Sequence, residues 1–118
     1  MAPDEVLLLL QMAYHLTTQF GADESDPSPE RMAEVLDTID PNDVEHTDVS
    51  LTHESEWCIS LFASGLVTFE NLEEGEPMHM RGLGRRQMLG LWQQLARGDI
   101  DALLALPWKP GYGGTAPG

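Results

Sequence analysis

Apolar residues recur along this chain with two different periods, and the change of period marks its elements. In residues 4–19, Leu9, Met12, Ala13 and Leu16 return at intervals of three and four, which predicts a helix with one buried face. The run from Val6 to Leu10 widens that stripe, and Gly21 is placed to close the helix with a left-handed cap. A polar loop, "GADESDPSP", follows. Ser28 is expected to cap a second helix, with Pro29 in its first turn, where a missing N–H costs nothing. Met32, Val35, Leu36 and Ile39 form the apolar side of that helix, and Asp40-Pro41 ends it. The period then becomes two. Thr47, Val49 and Leu51 share one face of a strand, and Asp48, Ser50 and Thr52 share the other. After the turn "HES", Trp57, Ile59, Leu61 and Ala63 face one way, with Cys58, Ser60 and Phe62 opposite. Ser64-Gly65 signals a tight hairpin into a third strand with Val67 and Phe69 inward. "PMHMRGL" predicts a fourth, with Met78 and Met80 inward and His79 and Arg81 outward.

From Arg85 to Arg97 the helical period returns, with Met88, Leu91, Trp92 and Leu95 as its stripe. Arg97 is expected in the last turn and Gly98 at its close. Asp99 is expected to cap a short helix over Ile100 to Leu104, broken by Pro107-Trp108. Strands in a block between helices predict an α+β fold: a three- or four-stranded antiparallel meander with N-terminal and C-terminal helices packed on one face. The 118 residues suffice for one domain, expected over 1–112, with 113–118 as a flexible C-terminal tail. The second sheet face, carrying Asp48, Ser50, Thr52, Cys58, Ser60 and Phe62, is polar enough to be exposed or to hold a partner.

Charge adds direction to this picture. The net charge is −14, but residues 1–80 carry 18 of the 20 acids against one base, Arg31, for −17. Residues 81–118 carry two acids, Asp99 and Asp101, against Arg81, Arg85, Arg86, Arg97 and Lys109, for +3. The crossover is "TFENLEEGEPMHMRGLGRR" at 68–86, where Glu70, Glu73, Glu74 and Glu76 precede the arginines. An acidic surface argues against direct nucleic-acid or anionic-membrane binding and favours a basic protein partner. The apolar run near the start falls short of the ~20 residues of a membrane span. No Lys or Arg precedes Arg31, so a signal peptide is not expected and the cytoplasm is the expected location.

The residues offer little catalytic chemistry. Cys58 is the single cysteine, has apolar or acidic sequence neighbours, and is expected to be buried and inert. Glu45, His46 and Asp48 could begin a metal site, but no second cluster completes one, and neither a metal nor a cofactor is expected. His15 and His53 are expected to be structural and turn residues respectively. Trp92 belongs to the core stripe, and Trp57 opens a strand on its apolar side. Trp108 and Tyr112, near the end, suit packing first and partner contact second. An enzyme is therefore not expected.

Trp57, the Ser64-Gly65 turn, the Met88–Leu95 helix, Gly98 and Trp108 in "ARGDIDALLALPW" together give residues 57–108 a resemblance to the immunity proteins of bacterial polymorphic-toxin systems. That resemblance implies a protein that binds a cognate toxin domain, often basic, and blocks it, with no catalytic residues to carry over. The expected contact residues are Glu70, Glu73, Glu74 and Glu76 as an acidic rim, with Asp48, Trp108 and Tyr112. Arg81, Arg85 and Arg86 are expected to neutralise that edge from within. Two other functions fit the composition. One is a small ligand- or metal-binding domain or enzyme, using His46, Asp48 and His53 between sheet and helices. The other is a DNA mimic that occupies a nucleic-acid-binding protein.

Overall fold

The computed structural model describes residues 14–17, 23–39 and 48–112. The elements are β1 (Tyr14–Thr17), β2 (Asp23–Ser25), α1 (Pro29–Asp37), β3 (Asp48–His53), β4 (Trp57–Phe62), β5 (Val67–Asn71), β6 (Met78–Met80), α2 (Arg85–Ala96), α3 (Ile100–Leu104) and β7 (Lys109–Pro110). The strands form one antiparallel sheet in the order β2-β1-β3-β4-β5-β6-β7. The α+β class holds, and the predicted meander is its centre, β3 to β6. Among the described residues the sheet has seven strands rather than three or four, because it is extended on both sides.

The helix expected over 4–19 is corrected where the structure describes it: Tyr14–Thr17 is a strand. Leu16 pairs with Leu51 of β3 and is fully buried, while His15 on the opposite side is exposed. Pairing with β3 and β2 satisfies the backbone on both sides of β1, a gain that outweighs local helical preference. Residues 4–13, the Gly21 cap, the Asp40-Pro41 stop and His46 lie outside the described residues, as does the 113–118 tail.

The core lies on one face of the sheet. Val49, Leu51, Ile59, Leu61, Val67 and Phe69 project from β3, β4 and β5 with at most 1% exposure. α1 covers them with Met32, Val35 and Leu36, and α2 with Met88, Leu91, Trp92 and Leu95. α1 begins as its sequence dictates: Ser28 Oγ accepts the Arg31 N–H at 3.1 Å, with Pro29 at the first helical position. Trp92 is fully buried and donates its indole N–H to the Ile59 carbonyl at 3.0 Å, fastening α2 to the middle strand. Arg85 donates to the Leu36 carbonyl at 3.1 Å and pairs with Asp37, joining the two helices. Arg97 follows α2 as its cap residue rather than lying in the last turn, and Gly98 then reverses the chain at φ +75°. Asp99 makes no capping hydrogen bond with its side chain, contrary to expectation. Trp108 does pack back onto the domain, its ring 5.0 Å from Phe69 and its N–H on the Leu103 carbonyl at 2.6 Å.

Antiparallel register sets the other face. Thr17, Ser50, Ser60, Thr68, His79 and Lys109 lie in one row across six strands, and His15, Thr52, Cys58 and Glu70 in the next. This face is polar, as predicted, but its middle is not open to solvent: Thr68 is 3% and His79 8% exposed. Met78 and Met80 do face the core, yet His79 is buried, because the chain beyond β7 brings the Gly111 carbonyl to 2.9 Å from its Nδ1.

Candidate functional site

Two loops meet at the end of the sheet where β3 passes into β4 and β5 ends. Thr52 opposes Cys58, so His53 opposes Trp57 and the hairpin loop is the three residues 54–56. The Glu56 N–H returns to the His53 carbonyl at 2.9 Å. The β4–β5 hairpin has the same construction: loop 63–65, with the Gly65 N–H on the Phe62 carbonyl at 3.0 Å. Such loops end in a left-handed residue, normally glycine. Gly65 fills that slot at φ +93°, but in the first hairpin the slot holds Glu56, at φ +74°. A bulky residue there is strained, and strain of this kind is found at functional sites more often than elsewhere.

The second loop is stitched to the first. The Leu72 N–H donates to the Glu56 carbonyl at 2.8 Å, and the Asn71 side chain donates to the Ser55 carbonyl at 3.4 Å. The Asn71 side-chain Oδ1 then accepts the backbone N–H of Glu73 at 2.9 Å and of Glu74 at 3.3 Å. Beside this lies a cleft of about 370 Å³, lined by His15, Asp26, His53, Glu54, Glu56 and Leu72 among others. Asp26, at φ 48°, is the second left-handed residue other than glycine in the described chain, and it lines the same cleft. Its carboxylate accepts the Tyr14 N–H at 3.3 Å. His53 Nδ1 accepts the Ser55 N–H at 3.1 Å, so a neutral ring carries its proton on Nε2.

The result is an acidic surface around an apolar one. Glu54, Glu73, Glu74 and Glu76 are exposed and Glu56 is half-exposed. Among the described residues the carboxylate ion pairs lie elsewhere, at Arg31 with Glu24 and Glu34 and at Arg85 with Asp37. Leu72 stands among these acids with 54% of its surface exposed.

The expected contact residues separate in space. Glu73 and Glu74 belong to this end, with Glu76 further along the same loop. Glu70 lies on the second face of β5 and accepts the Tyr112 hydroxyl at 2.6 Å; that hydrogen bond pushes the Tyr112 phenol above its ordinary range. Trp108 is held in packing. Asp48 opens β3 opposite Phe62, at the far end of the sheet from Glu73. Arg85 does not neutralise the acidic rim, since its carboxylate partner is Asp37 on α1. Glu54, Glu56, Asp26 and Leu72 were not expected at a site. The signal for Glu54, Glu56 and Leu72 is the register that places Trp57 opposite Asn71, and for Asp26 the pairing of Tyr14 with His53; no local pattern displays either.

Cys58 is buried on the second face, and burial pushes its thiol up, only partly offset by the Thr52 hydroxyl. Among the described residues no three His, Cys, Asp or Glu side chains converge as metal ligands, and no helix is long and apolar enough to cross a membrane. Compared with known protein families, curated proteins and solved structures, the chain matches none.

Proposed function

We propose that this chain is an acidic binding protein that neutralises a basic protein, a toxin domain or an enzyme, by docking it on the end of the sheet formed by the β3–β4 hairpin and the loop after β5. One observation carries the reading: Glu54, Glu56, Glu73 and Glu74 stand on the two loops joined at the exposed Leu72, and none of them is in an ion pair among the described residues. The carboxylates steer a cationic partner, and Leu72 supplies the desolvated contact that holds it. Left-handed Glu56 fits the same reading, because a strained acid is retained where its charge is used. Resemblance to immunity proteins supplies the class of partner. The −17 carried by residues 1–80 supplies the long-range field.

The test is affinity capture from the native host with wild type and with a Glu54→Lys, Glu56→Lys, Glu73→Lys, Glu74→Lys variant of unchanged fold. A single basic protein held by wild type in a one-to-one complex and lost by the variant supports the reading. Equal retention by both removes this end of the sheet from the interface.

A further inference from the structure

Gly90 occupies the middle of α2, where glycine is the least favourable residue after proline. Its backbone is helical, and beyond its own helix backbone and chain neighbours no atom of the described residues lies within 4 Å of the place its Cβ would take. The missing side chain opens onto a groove of about 640 Å³. One wall is α2 itself. Gln87, Gly90, Leu91, Gln94 and Arg97 recur at three and four along it, a stripe about 15 Å long at the helical rise of ~1.5 Å per residue. The other wall is the chain at 80–83 and 106–107.

The lining is cationic. Arg81 and Arg97 stand on the groove, and neither pairs with a carboxylate among the described residues. Lys109 joins Arg81 on an adjoining cleft of about 390 Å³. In a chain of net charge −14, this is the segment that carries +3. Unpaired guanidiniums facing an open groove select an anionic occupant. The groove is long and open rather than enclosed, unlike small-molecule sites, which bury most of their ligand. Gln94 presents a donor and an acceptor suited to a peptide backbone, and Gln87, whose Oε1 accepts the Gly84 N–H at 2.9 Å, offers its amide N–H groups. A length of ~15 Å accommodates four or five extended residues at ~3.3 Å each.

We propose that this groove binds a short extended segment of another protein, with an apolar side chain seated over Gly90 and carboxylates on Arg81 and Arg97. The groove shares no lining residue with the cleft at the acidic end of the sheet and takes the opposite chemistry, and its test needs no basic partner, so the two proposals fail independently.

The experiment pans a displayed library of random heptapeptides on the wild-type protein, with counter-selection on Gly90→Leu. Thermal unfolding of Gly90→Leu and Gly90→Ala checks the fold; Gly90→Ala should raise the midpoint by about 2–4 °C, as expected if the fold does not need the glycine. Peptides that survive counter-selection should carry leucine, isoleucine or phenylalanine flanked by aspartate or glutamate. A synthetic copy of one should lose at least about tenfold in affinity to an Arg81→Gln, Arg97→Gln variant. A surviving pool without acidic bias, or no surviving pool, overturns the proposal. So does concentration-dependent self-association that Gly90→Leu abolishes, which would assign the groove to a second copy of the chain.

Discussion

Replacing Glu56 with glycine should make the protein more stable and a poorer binder. The two hairpins differ at this slot, Glu56 at φ +74° in one and Gly65 at φ +93° in the other. Holding an L-residue in the left-handed region costs about 1–2 kcal/mol. Glycine returns about 0.4–1 kcal/mol of that by enlarging the unfolded ensemble. The net expectation for Glu56→Gly is a stabilisation of about 0.5–1 kcal/mol, or about 2–4 °C in Tm for a chain of this size. The bonds at this turn are made by backbone, the Glu56 N–H to His53 and the Leu72 N–H to the Glu56 carbonyl, so they survive the change. Glu56→Ala is the control. It removes the same carboxylate and keeps the strain, so it should not share the gain. Calorimetry of the three proteins separates the terms. Glu56→Gly no more stable than Glu56→Ala would refute the strain argument, whatever either variant does to binding. Both should associate more slowly with a basic partner, since both lose the charge.

Three further outcomes test the scaffold. Ser28→Ala removes the acceptor for the Arg31 N–H and should cost about 1 kcal/mol, read as a lower denaturation midpoint with unchanged m-value. Cys58 is 7% exposed and burial raises its thiol, so a thiol reagent at neutral pH should label it only as fast as the domain opens; rapid stoichiometric labelling of native protein would contradict the placement of that face. Arg31 bonds both oxygens of Glu24, at 2.8 and 2.6 Å, which holds that carboxyl below its ordinary range. A carboxyl lowered on folding adds stability above its unfolded pKa of about 4.3 and loses it as pH falls through the folded value. Arg31→Gln should therefore be less stable than wild type at neutral pH, with the gap closing below about pH 4; a constant gap would show that the pairing is not its source.

What could be read in advance was whatever a strong local period dictates. α1, α2 and the inner strands β3, β4 and β5 each bury one side of a clear pattern, and the structure places Val35, Leu51, Ile59, Phe69 and Trp92 as that pattern requires. β1 escaped because Leu16 satisfies two patterns at once. It completes the stripe of Leu9, Met12 and Ala13, and it is also the inward residue of the alternating Tyr14–Thr17. Only the presence of β3 alongside decides between them. β2 and β7 are three and two residues long, and "DES" and "KP" have no strand signature of their own. Their neighbours recruit them, and Pro110 is tolerated because β7 is an edge. At the candidate site, Glu73, Glu74 and Glu76 were visible as charge, while Glu54 read as part of an ordinary polar turn and Glu56 only as the head of the strand that follows it. The two groups became one surface through register, a property of paired strands rather than of either segment.

The central claim is that unpaired carboxylates on the joined loops guide a basic protein onto the end of the sheet. Its most direct measurement is the association rate of the captured partner by stopped flow, across ionic strengths from 20 to about 500 mM, for wild type and the four-fold lysine variant. Steered association falls steeply with salt, and removing the steering charges lowers both the rate and its slope. The account predicts a wild-type rate at least about tenfold above the variant at low salt, with the two curves converging at high salt. Parallel curves with equal slopes would contradict it and place the docking surface elsewhere on the molecule.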